Sequence, residues 1–298
     1  MTSGGPVARQ HWADGAQPIR AAAPEPGWQA HLELAFEHRE ARTVLARNRH
    51  KGPLQVQKAL YPEGADVCHV AILHPPGGIA AGDSLCMRAS LQGGSRVLLT
   101  TPGATKWYRS DGSLARQQVQ FRLEDAAILE WLPRENILFD GCRMSTNLDI
   151  DLSAQSKYFG WEILSFGRRA SGESWHRGSL QMRTCIRGAD RVLWSEMANI
   201  EAGSGFMKST VGLSGFTVCG TFLIAGFDVE NGLLNECRGV RTKSTEARIG
   251  MTRVPGVLIA RYLGDSSEEV FNHFSELWSV LRPALSARVS CMPRLWAC

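Results

Sequence analysis

The chain has 298 residues, of which 44% are hydrophobic, so it is long enough to bury a full-sized core in one large domain or two small ones. Its net charge of +4 comes from 33 basic and 29 acidic residues, and so weak an excess does not indicate a nucleic-acid-binding protein. The longest apolar stretch, residues 216–227, is interrupted by threonine and glycine and is too short to span a bilayer. We therefore expect neither nucleic acid nor membrane as a partner.

Residues 1–27 are rich in Gly, Ala and Pro and contain no apolar segment of the kind found in a secretory signal. They predict a flexible tail, and the chain as a whole is predicted to be cytoplasmic. No pair among the eight cysteines has the spacing of a zinc knuckle or a redox dithiol, which predicts reduced, structural thiols.

Residues 28–40 alternate in part, with Leu32, Leu34 and Phe36 on one side, and this pattern predicts a β-strand. A basic segment overlaps the end of that strand. It contains Arg39, Arg42, Arg47, Arg49 and Lys51, interleaved with His38 and His50. Such a segment is either a solvated edge or a patch that binds a partner, and the sequence leaves both open.

From residue 66 to about 195, short apolar runs are separated by Gly, Pro, Asp or Ser. Regularly spaced runs with turn residues between them predict a mainly β protein. The segment 199–220 is rich in Gly and Ser and is compatible with a short helix or a mobile loop. Near the end, Ser266 and Glu269 have the spacing of a capping box, and an apolar pattern over 270–281 predicts a helix that Pro283 terminates.

The stretch "ILHPPGGIAAGDSL" (72–85) raises the question of a ligand site. It lacks the Lys-Ser/Thr of a phosphate-binding loop, and Pro75 and Pro76 remove two amide donors that a phosphate cradle would need. The "GSGFMKST" segment (203–210) has wrongly spaced glycines for such a loop. His69, His74 and Asp83 match no closed tetrahedral metal site, which leaves a shaping turn or a weak, transient metal contact.

Several carboxylates lie among large apolar residues, and a buried carboxylate needs a partner or water. These are Glu130, Glu135, Asp140, Glu162, Glu173 and Glu196. One interpretation pairs them with local arginines such as Arg134, Arg168 and Arg169. The other places them along a polar, hydrated path through which a cation could pass. No Gly-x-Ser-x-Gly elbow indicates a hydrolytic nucleophile.

A series of unusual motifs occurs in a fixed order along the chain. They are "YPEG" (61–64), "CHVAILHPPGGIAAGDSL" (68–85), "LLTTPGATKWYRS" (98–110), "LEWLPRENILFDG" (129–141), "WEILSFGRRASGE" (161–173) and "GSLQMRT" (178–184). The series resembles the urease accessory protein UreD family, called UreH in some bacteria. The resemblance runs from about residue 50 to 200, and more weakly to about 285.

The resemblance implies a protein that is not an enzyme and that binds apo-urease and UreF, which recruits the GTPase UreG. It implies a scaffold for GTP-dependent nickel insertion, with no tightly bound cofactor and only transient Ni²⁺. It also implies an elongated helical stack of β-strands, β-solenoid-like with a few short helices. We expect one such domain over 28–285, with residues 286–298 as a C-terminal tail.

Residue by residue, the resemblance gives Asp83 first, then Glu196, and more weakly Glu162 and Glu173, as acids that face a nickel path. It gives two shaping turns, formed by His74, Pro75, Pro76, Gly77 and Gly78 and by Thr101, Pro102, Gly103, Thr105 and Lys106. Two alternatives stay open: a general β-scaffold adaptor with no metal role, and a metal-dependent hydrolase that uses the region of His74 and Asp83.

Overall fold

The protein is described by a computed structural model over residues 27–297, and β-strands form most of it. The strands are β1 (Gln29–Arg39), β2 (Arg42–Lys51), β3 (Gln55–Val56), β4 (Val67–Leu73), β5 (Gly78–Ile79), β6 (Ser84–Leu91), β7 (Arg96–Thr100), β8 (Thr105–Trp107), β9 (Ala115–Leu123), β10 (Ile128–Leu132), β11 (Asn136–Leu138), β12 (Arg143–Leu152), β13 (Lys157–Phe166), β14 (Ser179–Arg187), β15 (Val192–Glu201), β16 (Val218–Ala225), β17 (Arg248–Val254) and β18 (Val257–Gly264). The helices are α1 (Gly205–Lys208), α2 (Asn231–Gly239) and α3 (Ser267–Ser286), with short 3-10 turns at Arg169–Ser171 and Arg294–Ala297. The mainly β prediction is confirmed.

The chain winds between two sheets so that each coil stacks on the one before it. Strands β4, β7, β10 and β13 pair in parallel in one sheet, where Val67 faces Arg96, Arg96 faces Ile128 and Ile128 faces Lys157. Strands β6, β9, β12 and β14 pair in parallel in the other sheet. The short strands β5, β8 and β11 form a third, narrower row. This arrangement is the β-solenoid-like coil that the resemblance implies.

Antiparallel strands close both ends of the solenoid. At one end β1 pairs in parallel with β6 and carries β2 as an antiparallel edge strand. At the other end β15 pairs with β14, and β16, β18 and β17 extend the second sheet beyond β13. The result is a sheet of seven strands facing a sheet of eleven. As predicted, Leu32, Leu34 and Phe36 point inward from β1 and are buried.

Apolar side chains form two cores, one between the two sheets and one between the larger sheet and helices α2 and α3. Strand β13 contributes to both, since Tyr158 and Leu164 face the first core while Phe159 and Trp161 face the second. A strand buried on both faces has no simple alternation of apolar and polar residues. The even-numbered positions of β13, including Glu162, therefore face the space between the sheets.

Helix α3 begins as predicted, because the Ser266 hydroxyl accepts a hydrogen bond from the Glu269 amide at 3.2 Å. The predicted end at Pro283 is wrong, since the helix continues to Ser286. Proline removes only one amide from the helical ladder. Beyond it the Ser286 hydroxyl donates to the Arg282 carbonyl at 2.8 Å, and the Ala287 amide donates to the Pro283 carbonyl at 3.0 Å.

The helix passes through the domain limit predicted at residue 285, and the chain that follows it packs on the domain. Trp296 lies against Trp161, Phe271 and Trp278, with ring centroids 5.7, 5.0 and 5.9 Å apart. Its indole N–H donates to the Thr100 hydroxyl at 2.9 Å. The tail predicted over 1–27 lies, except for its last residue, outside the described residues, as does Cys298.

Candidate functional site: a cavity along the solenoid axis

A cavity of about 400 Å³ lies between the two sheets, beside the positions where successive coils turn out of the larger sheet. Its floor comes from inward-facing side chains of β6, β9 and β12, such as Met87, Gln117 and Thr146. Its wall comes from the segments that follow β4, β7 and β10, which lie one above another in successive coils. The cavity therefore runs across several coils rather than within one.

The two predicted turns occupy equivalent places in this wall. In the first, the Gly77 amide donates to the His74 carbonyl at 2.8 Å, closing a turn around Pro75 and Pro76. A side chain at Gly78 would place a Cβ 2.6 Å from the Lys106 carbonyl oxygen, so the two turns are in close contact there.

The second turn carries most of the wall. Thr101, Pro102, Gly103, Ala104, Thr105 and Lys106 all line the cavity. The Thr101 hydroxyl donates to the Gly103 carbonyl at 3.1 Å and accepts from the Arg134 amide at 2.9 Å. The first bond closes the turn, and the second ties it to the corresponding segment of the next coil.

His74 is among the residues that line the cavity. Both of its ring nitrogens are buried, and neither has a hydrogen-bond partner within residues 27–297. Burial lowers the pKa of His74, while the negative charge of Asp83 opposes that change. The ring is therefore neutral at neutral pH, with an available nitrogen lone pair.

Asp83, the first predicted path acid, is buried in the loop between β5 and β6. One carboxylate oxygen accepts from the Trp28 amide at 2.8 Å and the other from the Ala80 amide at 2.9 Å. Asp83 does not line the cavity. In this position it anchors the start of β1 to the loop that follows β5.

Glu162 is the carboxylate that lines the cavity, at the end opposite His74. It lies on β13 and pairs in register with Thr221 of β16, which pairs with Arg261 of β18. The three residues thus form one row across adjacent strands on the inner face. The Arg261 guanidinium donates to the Thr221 hydroxyl at 2.6 Å.

Glu196 reaches the same row from the opposite sheet. Its carboxylate forms an ion pair with Arg261 at 2.7 Å, and its side chain is 23% exposed. The structure therefore brings two of the four predicted acids, Glu162 and Glu196, into one cluster. Sequence inspection gave no signal for Thr221 or Arg261, because only strand register places them beside Glu162.

Burial, together with the nearby negative charge of Glu196, raises the pKa of Glu162 to about 7. Its carboxylate accepts no hydrogen bond from another described residue that would offset the loss of water. Burial likewise raises the pKa of the neighbouring Cys219 thiol to about 12. Near neutral pH, Glu162 thus exchanges readily between its protonated and ionised forms.

Glu173, the fourth predicted acid, lies outside this cluster and does not line the cavity. It pairs with Arg168 at 2.9 Å, which is one of the local arginine pairings that the sequence suggested. The arginine hydrogen bond holds the pKa of the Glu173 carboxyl below its usual range. Its position favours a structural role at the base of the 167–177 loop.

The local pairing suggested for Glu130 is wrong. Glu130 is buried against Arg282 of α3, with an N–O distance of 3.0 Å, while Arg134 lies 3.7 Å from Glu135 instead. Arg282 also pairs with the buried Glu63 at 2.6 Å. The apolar surroundings of Glu130 require a partner, and that partner comes from the far end of the chain.

No group of three or more His, Cys, Asp and Glu side chains within residues 27–297 is arranged to hold a metal ion. Within the same residues, no helix combines the length and apolar character needed to cross a membrane.

Comparison with known proteins places the chain in a family. The family model described as UreD urease accessory protein matches residues 29–297. The chain belongs to the UreD family. The match begins before and ends after the region in which the motifs resemble that family.

Curated UreD-family relatives cover nearly the whole chain. The urease accessory protein UreD of Dechloromonas aromatica (strain RCB) is 46% identical over 282 residues, which is 94% of this chain and 98% of the relative. The protein of the same name from Azoarcus sp. (strain BH72) is 45% identical, over 92% of this chain and 95% of the relative. That from Methylobacillus flagellatus is 45% identical, over 93% and 96%.

Proposed function

We propose that this protein is a maturation scaffold for urease that guides nickel into the apo-enzyme and does not itself catalyse a reaction. The observation that carries the proposal is the cavity along the solenoid axis, with a neutral imidazole at one end and an ionisable carboxylate at the other. The family name of its relatives, urease accessory protein, supports a role in maturation rather than in urea hydrolysis.

The chemistry of the wall suits a cation that passes rather than one that stays. His74 offers a nitrogen and Glu162 an oxygen, both acceptable to Ni²⁺ as a borderline metal. The two lie three strand steps apart in the stack, which is about 14 Å at roughly 4.8 Å per step, so they cannot bind one ion together. Sequential weak sites allow entry and release, which a closed cage would prevent.

Glu196 and Arg261 complete the exit end of this proposed path. Ionised Glu162 would attract the cation, whereas Arg261 holds Glu196 and places a positive charge beside it. A cation at Glu162 is thus attracted to one carboxylate and repelled by a neighbouring guanidinium. That balance favours a short residence time.

The remaining parts of the proposal come from the UreD family. We propose that the scaffold binds apo-urease and UreF in the cytoplasm and that UreF recruits the GTPase UreG. Nickel is then cargo, delivered with GTP hydrolysis on UreG, and no cofactor is held tightly by this chain.

The test is urease activation in cells that contain apo-urease, UreF, UreG and this protein, with co-purification of the partners measured alongside. We expect Glu162→Gln to keep partner binding and to lower both urease activity and its nickel content. The matched control is Glu173→Gln, which removes a carboxylate away from the cavity and should leave the nickel content unchanged.

The Asp83→Ala variant distinguishes two roles for Asp83: an acid on the nickel path, or an anchor of the turn. If Asp83 acts on nickel, this variant binds partners and fails to activate; if it anchors the loop, partner binding and activation fall together. Normal nickel content with Glu162→Gln would overturn the proposed path and favour an adaptor without a metal role. No partner binding by the wild type would overturn the maturation scaffold itself.

A further inference from the structure

The outer face of the seven-stranded sheet is a broad polar surface that faces solvent. Strand alternation turns His31 and Glu33 outward on β1 and Arg88 outward on β6, while their neighbours Leu32 and Met87 are buried. The second core, with α2 and α3, lies on the far side of the larger sheet. This face is about 29 Å wide, from six steps of roughly 4.8 Å between its seven strands.

Charge is distributed unevenly over this face. On the half formed by β14 and β12, Asp149 pairs with Arg183 at 3.0 Å and with Arg187 at 2.8 Å, so positive and negative charges offset one another. The other half carries basic side chains on three strands. They are Arg47, Arg49 and Lys51 on β2, Arg88 on β6, and Arg116 and Arg122 on β9.

The acidic residues of β2, β1, β6 and β9 are Glu33 and Glu37, and Arg88 donates to the Gln120 side-chain oxygen at 2.7 Å. Glu33 pairs with Arg47 at 2.8 Å, and Glu37 pairs with Arg39 near the hairpin. Arg49 and Lys51 form no ion pair or side-chain hydrogen bond with any described residue. Both are exposed, and strand register sets them directly beside Glu33 and His31.

The basic half of the face also contains a groove into which a partner's side chains could fit. A groove of about 280 Å³ lies between β2, β1 and β6, and its lining includes His31, Arg49, Lys51 and Arg88. Glu33 is the single carboxylate in that lining. A groove of this size and sign fits one or two carboxylate side chains projecting from a partner.

We infer that the basic half of this sheet face, centred on Arg49, Lys51 and Arg88, is a docking surface for a protein that presents clustered aspartate and glutamate side chains. Charge complementarity carries the choice of occupant. Nucleic acid fits less well, because no Phe, Tyr or Trp lies at the outward positions of β2, β1, β6 or β9 to stack on a base.

The first test uses a defined acidic probe and the full-length protein. Binding of a poly-glutamate peptide is measured by titration calorimetry for the wild type, for Arg49→Glu/Lys51→Glu, and for the control Arg241→Glu/Lys243→Glu. The control changes net charge equally, on two exposed basic residues in the loop between α2 and β17. We expect the face variant to weaken binding by about tenfold or more and the control to match the wild type, with the difference shrinking at high salt.

Three results would overturn the inference: no binding of the peptide by the wild type, equal weakening by both double variants, or tighter binding of a single-stranded oligonucleotide of equal charge. The peptide result does not depend on the proposed maturation role. The same variants are then compared in the activation assay. Loss of partner binding only in Arg49→Glu/Lys51→Glu would show that the docking surface serves the maturation role. Failure of the wild type in that assay would count against the maturation role alone.

Discussion

Replacing Glu162 by glutamine should stabilise the protein in a pH-dependent way, because the folded structure penalises the ionised carboxylate. The pKa of Glu162 rises from an ordinary value of 4.5 to about 7 through burial and the charge of Glu196. Each pKa unit corresponds to about 1.4 kcal/mol, so the penalty is roughly 3–4 kcal/mol when the group is fully ionised.

The sign follows from linkage between folding and protonation. Below the unfolded-state pKa, Glu162 is protonated in both the folded and the unfolded protein, so it does not lower the free energy of unfolding. Between that value and about 7 the unfolded chain releases its proton first, so the wild type loses stability as pH rises. About one pH unit above 7 the loss is complete, and it is constant at higher pH.

Urea denaturation of the wild type and Glu162→Gln at a series of pH values measures this difference. We expect similar stability near pH 4.5 and a gain for the variant of up to about 3 kcal/mol at pH 8. Glu173→Gln provides a control of opposite sign, because the pKa of Glu173 is lowered and its ionised form stabilises the fold. Parallel curves for the wild type and Glu162→Gln across the whole range would refute the reasoning.

Three further changes test other parts of the structure. Arg282→Met leaves Glu63 and Glu130 buried without their shared cation and should cost about 3–5 kcal/mol in the free energy of unfolding, measured by denaturant titration; an unchanged midpoint would contradict the network. Asp83→Asn removes one of two carboxylate acceptors for backbone amides and should cost about 1–3 kcal/mol, with faster amide hydrogen exchange at the start of β1 as its specific sign. Trp296→Ala removes an aromatic contact with α3 and should cost about 3 kcal/mol; a loss below about 0.5 kcal/mol would show that the terminal segment is not integral to the fold.

Local patterns in the sequence predicted the local parts of the fold. The alternation of Leu32, Leu34 and Phe36 predicted a half-buried strand, and the spacing of Ser266 and Glu269 predicted the start of a helix. Both signals depend on residues within one or two turns of each other. The end of that helix was mispredicted because proline removes only one amide from the helical ladder, and the bonds of Ser286 and Ala287 that continue the helix beyond it leave no local sequence pattern.

The candidate site could be predicted only in part. The unusual turns at 74–78 and 101–106 marked the wall of the cavity, but nothing in their sequence shows that they stack in successive coils. Glu162 meets Thr221 and Arg261 through the register of three strands, and Glu130 meets Arg282 across 152 residues of chain. Partners at such separations are fixed by the whole fold, so proximity in sequence gave the wrong arginine for Glu130.

The position of Arg282 has a consequence for how the protein is made. Its guanidinium neutralises two buried carboxylates, on Glu63 near the first coil and on Glu130 near the third. During synthesis the coils emerge from the ribosome long before α3 does, and until then Glu130 has no counter-ion, while Glu63 can pair only with His69, 2.6 Å away in the finished fold. The nascent solenoid must keep Glu130 hydrated or protonated, so the interior between β10 and α3 closes only after the chain is almost complete.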